Sequence, residues 1–191
     1  MVLEATNAAL KEWAVVCRAL EAGRQTLLIR KGGIEEVKQG FEVTHRAFWL
    51  FPTYIHQKPA DLIAEARADF EAAQAARPPK DSVRVELFAT VSDVVKVIDL
   101  ERLRALEAQH ILSWDCVASR FHYRNKPGVH VLTLRVYRRS DPLVLVNTAR
   151  YDGCVSWVDL EQPQDPAGCT PVLPDAEFDR RAAEIRRLLG A

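Results

Sequence analysis

No two cysteines in this chain lie close enough in sequence to grip a metal together. Cys17, Cys116, Cys154 and Cys169 are widely spaced, with no CxxC or CxxH pair, so no zinc site and no metal is expected. No apolar run approaches the roughly 18 residues a membrane helix needs. Excess charge of one sign is missing as well: 26 Lys and Arg balance 26 Asp and Glu. With no global field to draw nucleic acid or an anionic membrane, any electrostatic case rests on local grouping. A secretory-signal pattern is not seen, so the thiols are expected to be free and the protein cytoplasmic. Complete catalytic motifs are lacking too, including GxSxG, the P-loop and the Glu-rich Nudix helix, and no cofactor is expected. Internal repeats and low-complexity tracts are absent.

What is present is ordinary globular material. The chain has 191 residues, 48% hydrophobic and 27% charged, enough for a proper core and too apolar for disorder. One compact domain over 1–191 is expected, with lobes 1–77 and 82–191 joined by the Pro-rich 78–81. Trp13 to Leu20 and Leu27 to Ile29, with Gly23 between, read as a hairpin of 12–20 with 25–31. Phe48-Trp49-Leu50-Phe51 is apolar on both faces and reads as a buried strand ending at Pro52. Pro59 opens a helix over 59–76, with Leu62, Ile63, Ala66, Phe70 and Ala73 as its stripe.

In the second half, Val83 to Val91 alternates like a half-buried strand and 94–98 reads as another. Asp99 caps a helix over 99–110. Strands are expected at 116–123, 129–138, 143–150 and 154–160, with turns at 125–128, 140–142 and 152–153. Residues 161–174 read as a Pro-rich loop. Asp175 caps a last helix over 175–189, which Gly190 ends. Hairpin-joined strands with helices set apart give an α+β class with mainly antiparallel sheets. The second lobe, strand then helix then meander, parallels the order of PUA-like barrels.

Several residues suit chemistry. Arg30 and Lys31 precede Gly32-Gly33, where backbone N–H groups could form an anion nest. His56 lies in a loop after the aromatic strand, within reach of a substrate, as a general acid/base or a phosphate ligand. Tyr54 and Gln57 beside it offer stacking and base-edge hydrogen bonds. Glu12 is the acidic candidate near Arg30. Residues 116–140 contain no Asp or Glu. On a strand, Arg120, His122 and Arg124 would share one face, and Lys126 would extend this ladder for phosphates. Trp114 could stack on a base, although core packing is its commoner use. Glu36-Val37-Lys38 matches the ExK half of a nuclease motif, without the upstream acid pattern that a Mg²⁺ site needs.

Taken together, several segments resemble a bacterial family, domain of unknown function 1802. They are Ala9-Leu10-Lys11-Glu12-Trp13-Ala14, Leu28-Ile29-Arg30-Lys31-Gly32-Gly33-Ile34, and Phe51-Pro52-Thr53-Tyr54 with His56-Gln57. Further on come His110, Trp114, Arg120-Phe121, Leu134-Arg135-Val136-Tyr137, and Cys154-Val155-Ser156-Trp157-Val158. The likeness spans most of 9–160 and leaves the C-terminal helix outside. Some relatives look to be joined to a restriction-endonuclease-like domain, so the resemblance implies a link to DNA restriction. It implies no catalytic residues.

Three functions compete. The leading one is a nucleic-acid-associated module, serving restriction or repair, that contacts DNA or RNA phosphates through Arg30, Lys31, Arg120, Arg124 and Lys126, with Tyr54 or Trp114 stacking. The second is an enzyme on a small phosphorylated or nucleotide substrate, using His56 and Arg30/Lys31, and it requires Glu12, His56 and Arg30 to meet in one pocket. The third is a non-catalytic interaction or scaffold protein, marked by a large apolar patch. Oligomeric state is open in all three.

Overall fold

The computed structural model describes residues 3–31, 35–37, 40–42 and 45–191, with side chains for 3–31 and 45–191. Strand β1 (Thr6–Trp13) runs directly into helix α1 (Ala14–Glu21). The expected hairpin of 12–20 with 25–31 is therefore wrong. β-branched Val15 and Val16 suggested a strand, but Val15/Ala19 and Val16/Leu20 are i,i+4 pairs that bury one helical face. Tertiary burial overrides the weak local preference. After Gly23, in the left-handed region at φ +64, strand β2 (Leu27–Arg30) pairs with a distant strand instead.

Strands β3 (Glu35–Val37) and β4 (Gly40–Glu42) form a separate small ribbon. The Gly32-Gly33 nest, the Glu36 side chain and Lys38 lie outside the described residues. Strand β5 (Ala47–Thr53) carries the aromatic run. Its alternation places Phe48 and Leu50 in the larger core and Trp49 and Phe51 in the smaller core on the other face. The both-faces-apolar reading of that run is what the structure shows.

The helix expected over 59–76 is two single 3-10 turns followed by α2 (Arg67–Ala75). Next comes one long strand, β6 (Ser82–Val97), where two were expected. Bulges after Val85 and Val91 break its register without ending it. Asp99 does cap helix α3 (Leu100–Arg104), its Oδ1 accepting from the Glu101 N–H at 3.0 Å. That helix is short, and a 3-10 turn at Glu107–Gln109 replaces the rest of the expected 99–110.

The expected strand 116–123 is helix α4 (Trp114–His122). Ser113 is its N-cap, accepting from the Cys116 N–H, and Cys116, Val117 and Phe121 form its buried face. Strand β7 (Val129–Val146) is also a single strand. Its register against β6 jumps from Leu87↔Arg138 to Val85↔Leu143. The 140–142 turn signal thus marks a bulge, where Pro142 owes no ladder hydrogen bond. Strand β8 (Trp157–Gln164) and the short β9 (Thr170–Pro171) occupy much of what was read as a Pro-rich loop. Helix α5 (Asp175–Leu189) buries Ala182, Ile185 and Leu189 and ends at Gly190, φ +63. Its N-cap is Pro174 rather than Asp175, which instead places its charge in the first turn.

The class is α+β with one main sheet, ordered β2-β7-β6-β5-β1-β8, with β9 added to β7. Among the described residues only β1 and β5 pair in parallel, and the other pairings of this sheet are antiparallel. Strands from before and after residues 78–81 are interleaved within this sheet. Helices α1, α2, α4 and α5 contribute to the larger core cluster, while the smaller cluster includes Tyr151, Val158 and Leu160. β2 and β1 stand four places apart in the strand order, yet the Arg30 Nη1 donates to the Lys11 carbonyl at 3.0 Å. The sheet must therefore curl back on itself, as right-handed twist favours. Among the described residues no helix is long and apolar enough to cross a membrane.

Candidate functional site: a cationic cleft

The curl brings the ends of β1, β2 and β5 around one cleft of about 470 Å³. Lys11, Glu12 and Trp13 come from β1, Ile29 and Arg30 from β2, and Phe51 to Thr53 from β5. The parallel register sets Glu12 beside Pro52 and Trp13 beside Thr53. Arg120 of α4 forms one wall, residues 151–155 a second, and the Pro-rich segment from Arg77 to Lys80 a third.

At the floor, Glu12 is 3% exposed. Its Oε2 accepts from Arg30 Nη1 at 2.8 Å and its Oε1 from the Trp13 N–H at 2.8 Å. Thr53 Oγ1 donates to the Glu12 carbonyl at 3.1 Å. The Arg120 guanidinium lies 4.6 Å from the centre of the Trp13 ring and donates to the Ile29 carbonyl at 2.8 Å. This stacking on an aromatic face holds the cation without a carboxylate.

Two lysines tie the loops that frame the cleft. Lys31 Nζ donates to the carbonyls of Phe121, Lys126 and Gly128. Three donors meet three acceptors, so its hydrogen-bonding capacity is filled. Lys11 Nζ donates to the Tyr151 and Gly153 carbonyls. Burial lowers the pKa of both amines; Asp152 and Cys154 oppose this at Lys11, while Lys126 and Lys96 reinforce it at Lys31.

Among the described residues seven Lys and Arg line the cleft, against the carboxylates Glu12 and Asp152. Glu12 pairs with Arg30, and Glu86, outside the cleft, with Arg84. Among the described residues no carboxylate forms an ion pair with Lys11, Lys31, Arg77, Lys80 or Arg120. Tyr54 adds a half-buried aromatic wall, with the Arg77 guanidinium 5.2 Å from its ring centre, and burial raises its phenol. His56, exposed at φ +65, stands on the rim.

Of the residues singled out from sequence, Glu12, Arg30, Lys31, Tyr54, His56 and Arg120 share this cleft. Arg124, Lys126, Gln57 and Trp114 are not among its lining. The strand-face ladder of Arg120, His122 and Arg124 does not exist, because that segment is helical and Arg124 follows the helix at φ +58, over Tyr123. Gln57 is 6% exposed, and its Oε1 accepts from the Val15 N–H in the first turn of α1. Trp114 packs against the core under the Arg104 guanidinium, 3.9 Å from its ring. Lys11, Trp13, Arg77, Lys80 and Cys154 were not singled out. The visible signals among them were the cations flanking Pro78-Pro79 and the family-like segments that hold Lys11, Trp13 and Cys154. Among the described residues, no group of three His, Cys, Asp or Glu side chains is placed to hold a metal.

A family model described as domain of unknown function (DUF1802) matches residues 9–184. The match therefore reaches into α5, which the sequence resemblance had left outside. No curated protein matches the chain. Among solved structures it is similar to the ASCH protein from Zymomonas mobilis, at 15% identity over 92% of each chain with a TM-score of 0.40. A point mutant of that protein matches at 15% identity and a TM-score of 0.46, over 81% of this chain and 90% of the other.

Proposed function

The chain belongs to the DUF1802 family, whose description assigns no activity, and from its cleft we propose that it binds a nucleic-acid strand. One observation carries this reading: a chain of zero net charge gathers, among its described residues, seven Lys and Arg and the partly exposed aromatic rings of Trp13 and Tyr54 into one cleft. Cations lining a groove neutralise a phosphate backbone, and aromatic rings accept bases of any identity. A cleft of about 470 Å³ suits one or two unpaired nucleotides better than a duplex. Arg120, Arg77 and Lys80 are the phosphate contacts in this reading. Lys31 contributes charge only, since its donors are filled.

The test is anisotropy binding of single- and double-stranded DNA and RNA over a salt series. Binding of single strands should weaken steeply with salt. Arg120→Ala should weaken it about tenfold for every sequence and lower the salt slope by about 0.7. Arg124→Ala, outside the cleft, should change neither. Equal effects from both variants, or no binding at low salt, would sink the reading. Preference for DNA over RNA is what a role in restriction or repair requires.

A second reading has one observation in its favour. Glu12, Arg30 and His56 line the same cleft, as an enzyme on a small phosphorylated or nucleotide substrate requires. Turnover of a nucleotide panel that is lost in His56→Ala, with folding intact, would favour it over simple binding.

A further inference from the structure

Behind Tyr54 lies a second cavity, of about 390 Å³, between α1, the end of α2, and strands β5 and β6. Among the described residues five charged side chains line it, Arg18, Glu21, Arg84, Glu86 and Arg138. Arg84 pairs with Glu86 at 2.9 Å, and Arg138 with Glu21 at 3.5 Å. That leaves Arg18, which forms no ion pair among the described residues. Its Nε is buried and has no hydrogen-bond partner there. A guanidinium stays charged at any physiological pH, and buried donors in native proteins are almost always satisfied. Beside the Tyr54 phenol and the Cys17 thiol, the rest of the wall is apolar, with Leu50, Leu87, Ala73 and Ala76.

We propose that this cavity binds a small monocarboxylate with a short apolar chain, its carboxylate on Arg18 and its chain against Leu50, Leu87, Ala73 and Ala76. The planar guanidinium fork matches a carboxylate in geometry and charge. One unpaired cation balances one negative charge. A dianion such as phosphate would meet repulsion from Glu21 and Glu86, which line the same walls. The volume lies in the range of small-ligand sites. The cavity shares Pro52, Tyr54 and Arg84 with the cationic cleft but not Arg120, Lys80 or Arg77. Its occupancy does not depend on the nucleic-acid reading, and the two tests fail separately.

The experiment titrates the full chain with hexanoate, 1-hexanol and inorganic phosphate, by calorimetry and thermal unfolding. Hexanoate should bind and raise Tm, and the other two should do neither. Arg18→Met should weaken hexanoate at least about tenfold, the loss expected for a charge-assisted contact. Ala76→Trp should abolish binding by filling the cavity from the exposed end of α2, which keeps the test decisive if Arg18→Met fails to fold. Four results would overturn the proposal: silence at millimolar hexanoate, equal binding of hexanol, phosphate bound in its place, or hexanoate binding unchanged in both variants.

Discussion

Arg30 donates through Nη1 to Glu12 Oε2 at 2.8 Å, and the two side chains are only 14% and 3% exposed. This pair closes the curled sheet, because it joins β2 to β1 where no backbone ladder does. Removing one partner strands the other charge away from water. Glu12→Ala should therefore cost about 3–5 kcal/mol in urea unfolding. The double variant Glu12→Leu with Arg30→Met should recover much of that loss. If Glu12→Ala costs well under 1 kcal/mol, the pair is not holding the closure.

Lys31 is expected to act on the fold rather than on a ligand. Lys31→Met leaves the carbonyls of Phe121, Lys126 and Gly128 without their shared donor. The loss should be about 2–4 kcal/mol, with faster amide exchange across 121–128. Lys31→Arg should not rescue it, since a flat fork cannot point three ways as an ammonium does. Full stability in Lys31→Arg would contradict this account.

His110 sets a pH dependence. Burial holds its pKa down to about 4, the Arg120 charge adds to the effect, and the Glu107 charge opposes it. In the unfolded chain it titrates near 6.5. Between those values the unfolded state takes up a proton that the folded state refuses. Stability is complete above pH 6.5 and falls as pH drops towards 4, by about 3 kcal/mol in full. His110→Asn keeps an acceptor for the Leu112 N–H and removes the titration. Its stability–pH curve should be flatter across this window; parallel curves would rule His110 out as the source.

The four thiols should react with Ellman's reagent in a definite order. Cys154 is exposed and lines the cleft, so it should react first. Cys169 is half-buried and should be slower; burial raises its thiol pKa. Cys17 and Cys116 are buried with raised pKa values and should react only on unfolding. Cys154→Ser should delete the fast phase. A bound oligonucleotide should slow the same phase if the cleft is where it sits.

Local patterns were legible where one physical cause decided them. The unbroken apolar run from Phe48 to Phe51 told that both faces are buried, because a strand must send successive side chains to opposite sides. Asp99 and Gly190 marked the start of α3 and the end of α5, because capping and left-handed geometry are properties of single residues. Residues 14–21 and 114–122 misled because their β-branched and aromatic side chains suit either element, and the choice fell to what each face could bury.

The sequence by itself determined the α+β class, the separate value of Glu12, Arg30, Lys31, His56 and Arg120 as chemistry-bearing groups, and the family resemblance. Only the tertiary structure decided that these residues share a cleft, and that Arg124, Lys126, Gln57 and Trp114 stand apart from it. The reason is topological. Lys11, Arg30, Arg77, Arg120 and Cys154 are scattered along the chain, and they meet because β1 pairs in parallel with β5 and the sheet curls until β2 reaches β1. No local pattern encodes a contact made by closing a sheet, since its free energy comes from burying both faces at once.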